Sequence, residues 1–242
     1  MKQRGRVLVT GASRGIGAAV AIRLAQRGYD LTLWARTAQD LAAVAKTCET
    51  LGAAVSYFNV DVGNEDQVEA ATKDAAARGT HVAAIINAGV GRWDSIASTT
   101  SADWRTTIDT NLSGAFYCTR AMLRLTSEGA GFSLIYIGSD AGLTAFPSRS
   151  AYSASKWGLR GFVDSVRADL HDRPLTTITQ IYPSAVDTFF RERRPGDRPD
   201  GLTPGQVTDA VLFALEAAPA VEVRELTIRS TKVTFGSGGA RI

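Results

Sequence analysis

The stretch RVLVTGASRGIGAAVAIRLAQRG, residues 6–28, decides the fold. A short Val-rich run leads into a glycine-rich turn, and apolar residues then recur at helical spacing up to Gly28. This order predicts a buried β-strand, a tight turn and an α-helix that ends at a glycine. Glycines at positions 11, 15 and 17 would let backbone N–H groups approach a pyrophosphate, whose negative charge suits the N-terminus of a helix. The stretch therefore predicts the first strand–turn–helix unit of a dinucleotide-binding fold.

The same alternation of strand and helix continues along the chain. Further apolar runs that predict strands are DLTLWA, AVSYFNV, VAAIINA, GFSLIYIG, LTTITQIYP and RELTIRS, and amphipathic segments separate them. Strict alternation with short connections is typical of a parallel sheet that has helices on both faces. We therefore predict an α/β fold of the Rossmann type, a doubly wound sheet of about seven strands in a single domain over residues 1–242. A loop at about 184–202 is expected to cover the substrate, and the tail at about 236–242 is expected to be flexible.

Composition argues against several classes of function. The 242-residue chain has a net charge of +3 with acids and bases interspersed, and it lacks the basic stripe of a nucleic-acid-binding protein. No apolar run approaches the ~18 residues of a membrane span, so we expect a soluble, cytoplasmic protein. Cys48 and Cys118 are expected to be buried thiols rather than a disulfide. His81 and His171 lack neighbours suited to metal binding, so no metal site is predicted.

Four further motifs follow the glycine turn in order along the chain. They are INAG at 86–89, NLSG at 111–114, Ser139, and YSASK at 152–156. Together with TGASRGIG at 10–17, they make the sequence similar to the short-chain dehydrogenase/reductase family in its compact form. The resemblance covers essentially the full chain and implies an oxidoreductase that uses a nicotinamide cofactor.

The resemblance implies four catalytic residues, Asn111, Ser139, Tyr152 and Lys156. Tyr152 would be the general acid that protonates a carbonyl oxygen during reduction. A free tyrosine has a pKa of about 10, and Lys156 together with the positive nicotinamide of the oxidised cofactor would lower that value. Ser139 would hold the substrate oxygen, and Asn111 would support a water-linked proton relay to Lys156. Each residue taken singly also fits a structural or surface role, and only the ordered set favours catalysis.

The predicted cofactor is NADP(H). Where NAD-preferring relatives carry an acid at the end of the second strand, this chain has Ala35 followed by Arg36, and Arg14 stands in the glycine turn. Two cations without a carboxylate suit a 2′-phosphate; the alternative is that Arg36 merely begins a solvated loop. The cofactor-binding residues that the resemblance implies are Gly11, Ser13, Arg14, Gly15, Ile16, Gly17, Arg36, Asp61, Val62, Asn87, Ala88, Gly89, Tyr152, Lys156, Pro183, Val186 and Thr188.

Aromatic side chains are predicted to line the substrate cleft. By their positions in the chain, the candidates are Trp93, Phe146, Tyr182, Phe189 and Phe190. Arginines follow in the same loop at positions 191, 193, 194 and 198, and one of them is a candidate to bind an anionic substrate or an acyl carrier. The alternative is a solvated basic loop.

These motifs predict an NADPH-dependent enzyme that reversibly reduces a ketone or aldehyde carbonyl to an alcohol. One alternative is a 3-oxoacyl-thioester reductase, which the same residues would serve. Another is a nonenzymatic NADP(H)-binding regulator, although such a protein needs no proton donor. A serine hydrolase is disfavoured, because Ile137 and Ala141 occupy the glycine positions of a nucleophile elbow around Ser139. The expected partners are a small carbonyl or alcohol substrate and further copies of this chain, in a homodimer or homotetramer built through the two long helices.

Overall fold

A computed structural model describes residues 4–127, 129–218 and 220–232. Seven strands form one parallel sheet in the order β3-β2-β1-β4-β5-β6-β7. The strands are β1 (Arg6–Thr10), β2 (Asp30–Ala35), β3 (Val55–Asn59), β4 (His81–Ile86), β5 (Ser133–Ile137), β6 (Thr177–Pro183) and β7 (Glu225–Ile228). Strand order reverses between β1 and β4, and the crevice at their carboxyl ends is where doubly wound sheets bind ligands. The predicted Rossmann-type fold is confirmed.

Helices cover both faces of the sheet. They are α1 (Gly15–Gln26), α2 (Ala38–Thr50), α3 (Glu65–Ala76), α4 (Ser101–Ile108), α5 (Gly114–Leu125), α6 (Ser150–Asp169) and α7 (Pro204–Leu215). Helices α1, α2 and α7 contribute to one hydrophobic core, whereas α3, α5 and α6 contribute to the other. The continuous sheet supports the proposal that residues 1–242 form one domain.

The central strands are apolar on both faces because each face meets a layer of helices. Successive side chains of a strand point to opposite sides, so Val7 and Val9 belong to one core and Leu8 belongs to the other. All three are fully buried, and each contributes about 1.5–3 kcal/mol relative to an exposed side chain. The sheet is thereby held rigidly, and its carboxyl edge can position functional groups.

The sequence predicts one long helix from Ser101 to about Ser127, and the structure interrupts it. A π-helical turn, Asp109–Ser113, joins α4 to α5, and it buries Asn111. Such turns insert one extra residue into a helix and occur frequently at functional sites. The uniform helix expected from the sequence is wrong at this point, where Gly114 directly follows the turn and begins α5.

Several other expectations have an outcome in the structure. Cys48 and Cys118 are free and buried, as predicted. His81 is also buried, and its Nε2 lies 2.8 Å from the Thr32 hydroxyl. Within the described residues, no helix is long and apolar enough to cross a membrane, and no group of three or more potential ligands is placed to hold a metal ion. The predicted flexible tail, 236–242, lies outside the described residues.

Candidate active site

The glycine turn after β1 leaves no room for side chains. Gly11 and Gly15 have φ values of 64° and 60°, in the left-handed region that favours glycine. A Cβ on Gly17 would stand 2.8 Å from the Gly11 carbonyl carbon and 2.7 Å from Asn87 Nδ2. The turn is therefore packed closely against the end of β4 at Gly11 and Gly17, and a side chain at either position would displace Asn87 or Ala88.

Hydrogen bonds tie this turn to the end of β4. The Asn87 Nδ2 donates to the Thr10 carbonyl at 2.9 Å, and the backbone N–H groups of Asn87 and Ala88 both donate to the Thr10 hydroxyl at 3.0 Å. Thr10 is fully buried. Sequence reasoning placed Asn87 and Ala88 at the site but missed Thr10, although a hydroxyl at a buried strand end in front of a glycine turn is a signal that could have found it.

The π-helical turn presents the Asn111 carboxamide to the loop after β4. Asn111 Oδ1 accepts from the Val90 N–H at 2.8 Å, and its Nδ2 donates to the Val90 carbonyl at 2.9 Å and to Ser155 Oγ at 3.0 Å. Asn111 therefore clamps that loop to helix α6, one residue before Lys156. Ser155, also missed in the sequence, supplies the contact on α6.

Tyr152 and Lys156 are both buried on α6, with 8% and 5% of their surfaces exposed. Lys156 Nζ donates to the Ile137 carbonyl at 2.9 Å, at the end of β5. Burial lowers the pKa of Lys156 to about 8. The Lys156 Nζ lies 5.8 Å from the centre of the Tyr152 ring. The sequence-predicted pair is thus brought to one buried place.

Burial raises the pKa of Tyr152 to about 12, and the neighbouring Ser139 hydroxyl opposes this rise. The lowered pKa expected from the sequence depends on the charges of Lys156 and the nicotinamide together, whereas burial acts in the other direction. Ser139 follows β5, where its hydroxyl accepts from the Ala141 N–H at 3.2 Å and donates to Asp140 Oδ1 at 3.1 Å. Three of the predicted catalytic side chains are therefore adjacent, with the phenol in its protonated form.

Two of the five predicted pocket aromatics pack directly on Tyr152. The ring centre of Trp93 lies 5.0 Å from that of Tyr152, and the Phe190 ring centre lies 5.9 Å from both. Phe146 lies at the rim, where the Arg149 guanidinium stands 4.4 Å from its ring centre. These rings form an apolar wall beside the phenol.

The other two predicted pocket aromatics lie elsewhere. Tyr182 is fully buried in β6, and its hydroxyl is within 2.9 Å of Gln180 Oε1 and 2.8 Å of Glu225 Oε1. Phe189 is 39% exposed and lies beside Arg14, whose guanidinium carbon is 6.0 Å from its ring centre. Phe189 borders a groove of about 340 Å³ next to the glycine turn instead of the wall around Tyr152.

The remaining predicted cofactor residues stand along the same carboxyl edge of the sheet. Arg36 follows β2 and is exposed. Asp61 follows β3, where its Oδ1 accepts from the Gly63 N–H at 3.0 Å. Thr188, beyond β6, lies 3.5 Å from where a Cβ of Gly15 would stand. Others on this edge are Ser13, Ile16, Val62, Gly89, Pro183 and Val186.

A family model described as short chain dehydrogenase matches residues 5–198. The chain belongs to this family. Among curated relatives of this short-chain dehydrogenase, the 3beta-hydroxysteroid dehydrogenase of Mediterraneibacter gnavus is 35% identical over 193 residues, covering 79% of this chain and 69% of that protein. The 3-oxoacyl-(acyl-carrier-protein) reductase FabG of Aggregatibacter actinomycetemcomitans is 30% identical over 231 residues, covering 91% of this chain and 95% of that protein. A solved alcohol dehydrogenase from the archaeon Thermococcus sibiricus, complexed with 5-hydroxy-NADP, has a TM-score of 0.89 at 29% identity and covers 95% of this chain and 98% of its own.

The residues present fit the nicotinamide cofactor that the family binds. The turn at Gly11 and Gly17 is packed against Asn87 and Ala88 without room for a Cβ, and it lies where the N-terminus of α1 favours a phosphate. The guanidinium groups of Arg14 and Arg36 are exposed beside it. The amine of Lys156 stands at the opposite end, near Tyr152.

Proposed function

We propose that this short-chain dehydrogenase reduces a ketone or aldehyde carbonyl to an alcohol with NADPH, and that it catalyses the reverse reaction when the alcohol is in excess. The observation that carries this proposal is a protonated, buried Tyr152 with Ser139 and Lys156 at its side and Trp93 and Phe190 against its ring. Burial alone does not mark a catalytic phenol, since Tyr182 is buried as well. Tyr152 differs because Ser139 and Lys156 lie beside it, and a perturbed titratable group in a cleft is a candidate for catalysis.

In this mechanism Tyr152 holds the proton that the carbonyl oxygen receives. Its raised pKa keeps the phenol protonated at neutral pH, so it can donate a hydrogen bond to the substrate oxygen and then the proton itself. The Ser139 hydroxyl, whose single O–H turns from Asp140 to the substrate, donates a second hydrogen bond to the same oxygen and orients it. NADPH, when bound, supplies the hydride to the carbonyl carbon.

Lys156 is proposed to make the proton transfer reversible. Its lowered pKa of about 8 lies close to neutral pH, so its amine can exchange a proton with solvent. In the charged form it favours the phenolate that remains after Tyr152 has given up its proton. Asn111, through Ser155 and Val90, is proposed to hold this end of α6 in place.

The preference for NADPH over NADH is proposed from charge. Arg14 and Arg36 are exposed and would flank the adenosine ribose, and Ala35 offers no carboxylate to bind its hydroxyl groups. The structural neighbour from Thermococcus sibiricus was solved with an NADP derivative, which supports the same choice.

A 3-oxoacyl-thioester reductase is the second candidate. The observation that favours it is the similarity to FabG, which extends over 91% of this chain. The same Ser139, Tyr152 and Lys156 would act on the 3-oxo group, so the candidates differ only in what the cleft binds around the carbonyl.

Tyr152→Phe tests the mechanism. The substitution removes the proton donor and keeps the ring packing, so we expect kcat to fall by roughly 10²–10⁴-fold while the Kd for NADPH stays within about threefold. Tyr57→Phe, at a half-exposed position of β3, is the matched control and should behave like wild type. Unchanged turnover in Tyr152→Phe would falsify the mechanism, and NADPH binding without turnover of any carbonyl compound by the wild type would favour a nonenzymatic regulator.

We also propose that two copies associate through α5 and α6. Phe116 and Trp157, on these helices, are 42% and 47% exposed, and large exposed apolar side chains mark interaction surfaces. Phe116→Asp should lower the molar mass measured by light scattering to that of one chain. A wild-type protein that is already monomeric at micromolar concentration would exclude the proposal.

A further inference from the structure

Four arginines from two segments of the chain gather at the rim of the aromatic wall. They are Arg149, at the start of α6, and Arg191, Arg193 and Arg198, in the loop at 184–202. Burial lowers the pKa of Arg149, Arg191 and Arg198, and the positive charges of neighbouring arginines lower it further, while the charge of Asp140 opposes this at Arg149 and Arg198. These four residues, here called the rim arginines, therefore repel one another in a partly desolvated place.

No carboxylate of the described residues forms an ion pair within 4.0 Å of a rim arginine. The nearest acidic groups have other partners. Asp187 accepts from the N–H groups of Gly196 at 2.7 Å and Arg198 at 3.1 Å, and Asp140 accepts from the Ser139 hydroxyl. Asp94 and Asp200 oppose the repulsion only at longer range. The rim arginines thus form a cationic site that is not neutralised by close contacts.

Two of the rim arginines are placed on the ring that contacts Tyr152. The guanidinium carbon of Arg191 lies 4.1 Å from the ring centre of Trp93, and that of Arg149 lies 4.9 Å from it. A guanidinium that stacks on an aromatic face keeps its N–H donors free in its own plane. Trp93 in turn lies against Tyr152. The Trp93 ring therefore separates these two guanidinium groups from Tyr152, the proposed proton donor. Their N–H groups are available to a ligand.

The backbone at Arg191 is strained. Its φ of 63° and ψ of 47° place a non-glycine residue in the left-handed region, inside the short helical turn Phe190–Glu192. Such conformations cost on the order of 1 kcal/mol and cluster at ligand-binding sites. This strain is an observation independent of the charges, and it aims the Arg191 side chain at Trp93.

We propose that the substrate carbonyl compound carries an anionic group, a carboxylate or a phosphate, which Arg149 and Arg191 bind beside Trp93. This inference rests on the proposed carbonyl reduction and names its substrate class. Arg149 and Arg191 are specificity-determining residues: they contact the anionic end of the substrate, while Tyr152 and Ser139 contact its carbonyl oxygen. A guanidinium group can form two parallel hydrogen bonds with either a carboxylate or a phosphate. An experiment is therefore needed to distinguish a carboxylate substrate from a phosphate substrate.

The test compares matched charged and neutral substrates. Oxo acids of several chain lengths are assayed against their methyl esters, and oxo phosphate monoesters against the corresponding free alcohols, with NADPH consumption as the readout. We expect kcat/KM of the wild type to favour the charged member of one series by at least tenfold. The double variant Arg149→Gln/Arg191→Gln should lower that ratio roughly 10–100-fold, mainly through KM, because it removes two charge-assisted hydrogen bonds.

Arg194→Gln is the matched control for the double variant. Arg194 belongs to the same loop, and it is not among the charges that lower the pKa values of the rim arginines. It should keep the wild-type preference. A wild type that prefers the charged member in neither series, or a ratio that the double variant leaves unchanged, would overturn the inference while leaving carbonyl reduction intact.

Binding provides a readout that does not depend on turnover. Isothermal titration of the NADP⁺-loaded protein with the hydroxy acid or hydroxy phosphate of the favoured series should show binding that the double variant weakens at least tenfold. Equal binding of the charged and neutral compounds would overturn the inference. Anion binding without any carbonyl reduction would instead contradict the proposed function.

Discussion

Gly17→Ala is expected to weaken cofactor binding and to destabilise the fold, although it adds a single methyl group. The new Cβ would stand 2.8 Å from the Gly11 carbonyl carbon and 2.7 Å from Asn87 Nδ2, where ordinary contact begins at 3.4 Å. Overpacking of this kind costs about 1–3 kcal/mol, and displacement of Asn87 would lose its bond to the Thr10 carbonyl, which contributes about 1 kcal/mol.

The same displacement moves the backbone N–H groups that would face the pyrophosphate. If about 2 kcal/mol of this steric cost reduces the binding free energy of NADPH, the Kd for NADPH rises roughly 30-fold. We expect this increase by fluorescence titration, together with a lower urea midpoint that corresponds to a loss of about 2–4 kcal/mol in the free energy of unfolding.

Gly205→Ala is the matched control. Gly205 lies in the first turn of α7. Apart from the adjoining residues and the helix backbone, a Cβ added there would have only the Thr203 hydroxyl within 4 Å, at 3.7 Å. This substitution should leave the Kd unchanged and raise stability by about 0.4–1 kcal/mol. Wild-type affinity and stability in Gly17→Ala would refute the steric argument, and with it the link between the packing of this turn and cofactor binding.

Three further predictions concern separate parts of the molecule. Arg36→Ala should lower kcat/KM for NADPH about 10–100-fold, because one charge-assisted contact is lost. It should change kcat/KM for NADH by less than threefold. Equal losses of kcat/KM with the two cofactors would count against a 2′-phosphate site. Asn111→Ala leaves the Val90 N–H and carbonyl without their partner, so urea unfolding should show a loss of about 2 kcal/mol or more, and an unchanged midpoint would contradict the clamp. Burial lowers the pKa of His81 to about 4, whereas an unfolded histidine titrates near 6.5, so stability should fall by up to about 3 kcal/mol as pH drops from 6.5 to 4. His81→Gln should flatten that part of the curve, and parallel curves for the two proteins would exclude His81 as the cause.

The parts of the site that could be predicted from sequence are those fixed by local structure. The glycine turn lies between a strand and a helix that are contiguous in the chain, so its geometry follows from residues 6–28. Tyr152 and Lys156 share a helical face at any i, i+4 spacing. Ser139 joins them because parallel strands end at one edge of the sheet, which is a general rule of the fold.

The parts that escaped prediction depend on side-chain direction and on loop packing. Tyr182 alternates with Ile181 and Pro183 along β6, and its direction decides whether it meets the cleft or the core. Phe189 and Phe190 are adjacent in sequence, yet one lies beside Arg14 and the other against Trp93. The role proposed for Arg149 arises only when the loop at 184–202 is packed, which no local pattern encodes.

The π-helical turn makes the position of Asn111 depend on a count of residues. A continuous α-helix from Ser101 to Leu125 would need one residue fewer in the turn Asp109–Ser113. Deleting Leu112 would let that helix close, and α4 and α5 would keep their facing because the turn accommodates the extra residue locally. The regularised helix would gain internal hydrogen bonds and separate the carboxamide from Val90. The hydrogen bonds between the Asn111 carboxamide and Val90 therefore depend on the irregular helix. A deletion that makes the helix regular in order to stabilise the protein would remove these bonds.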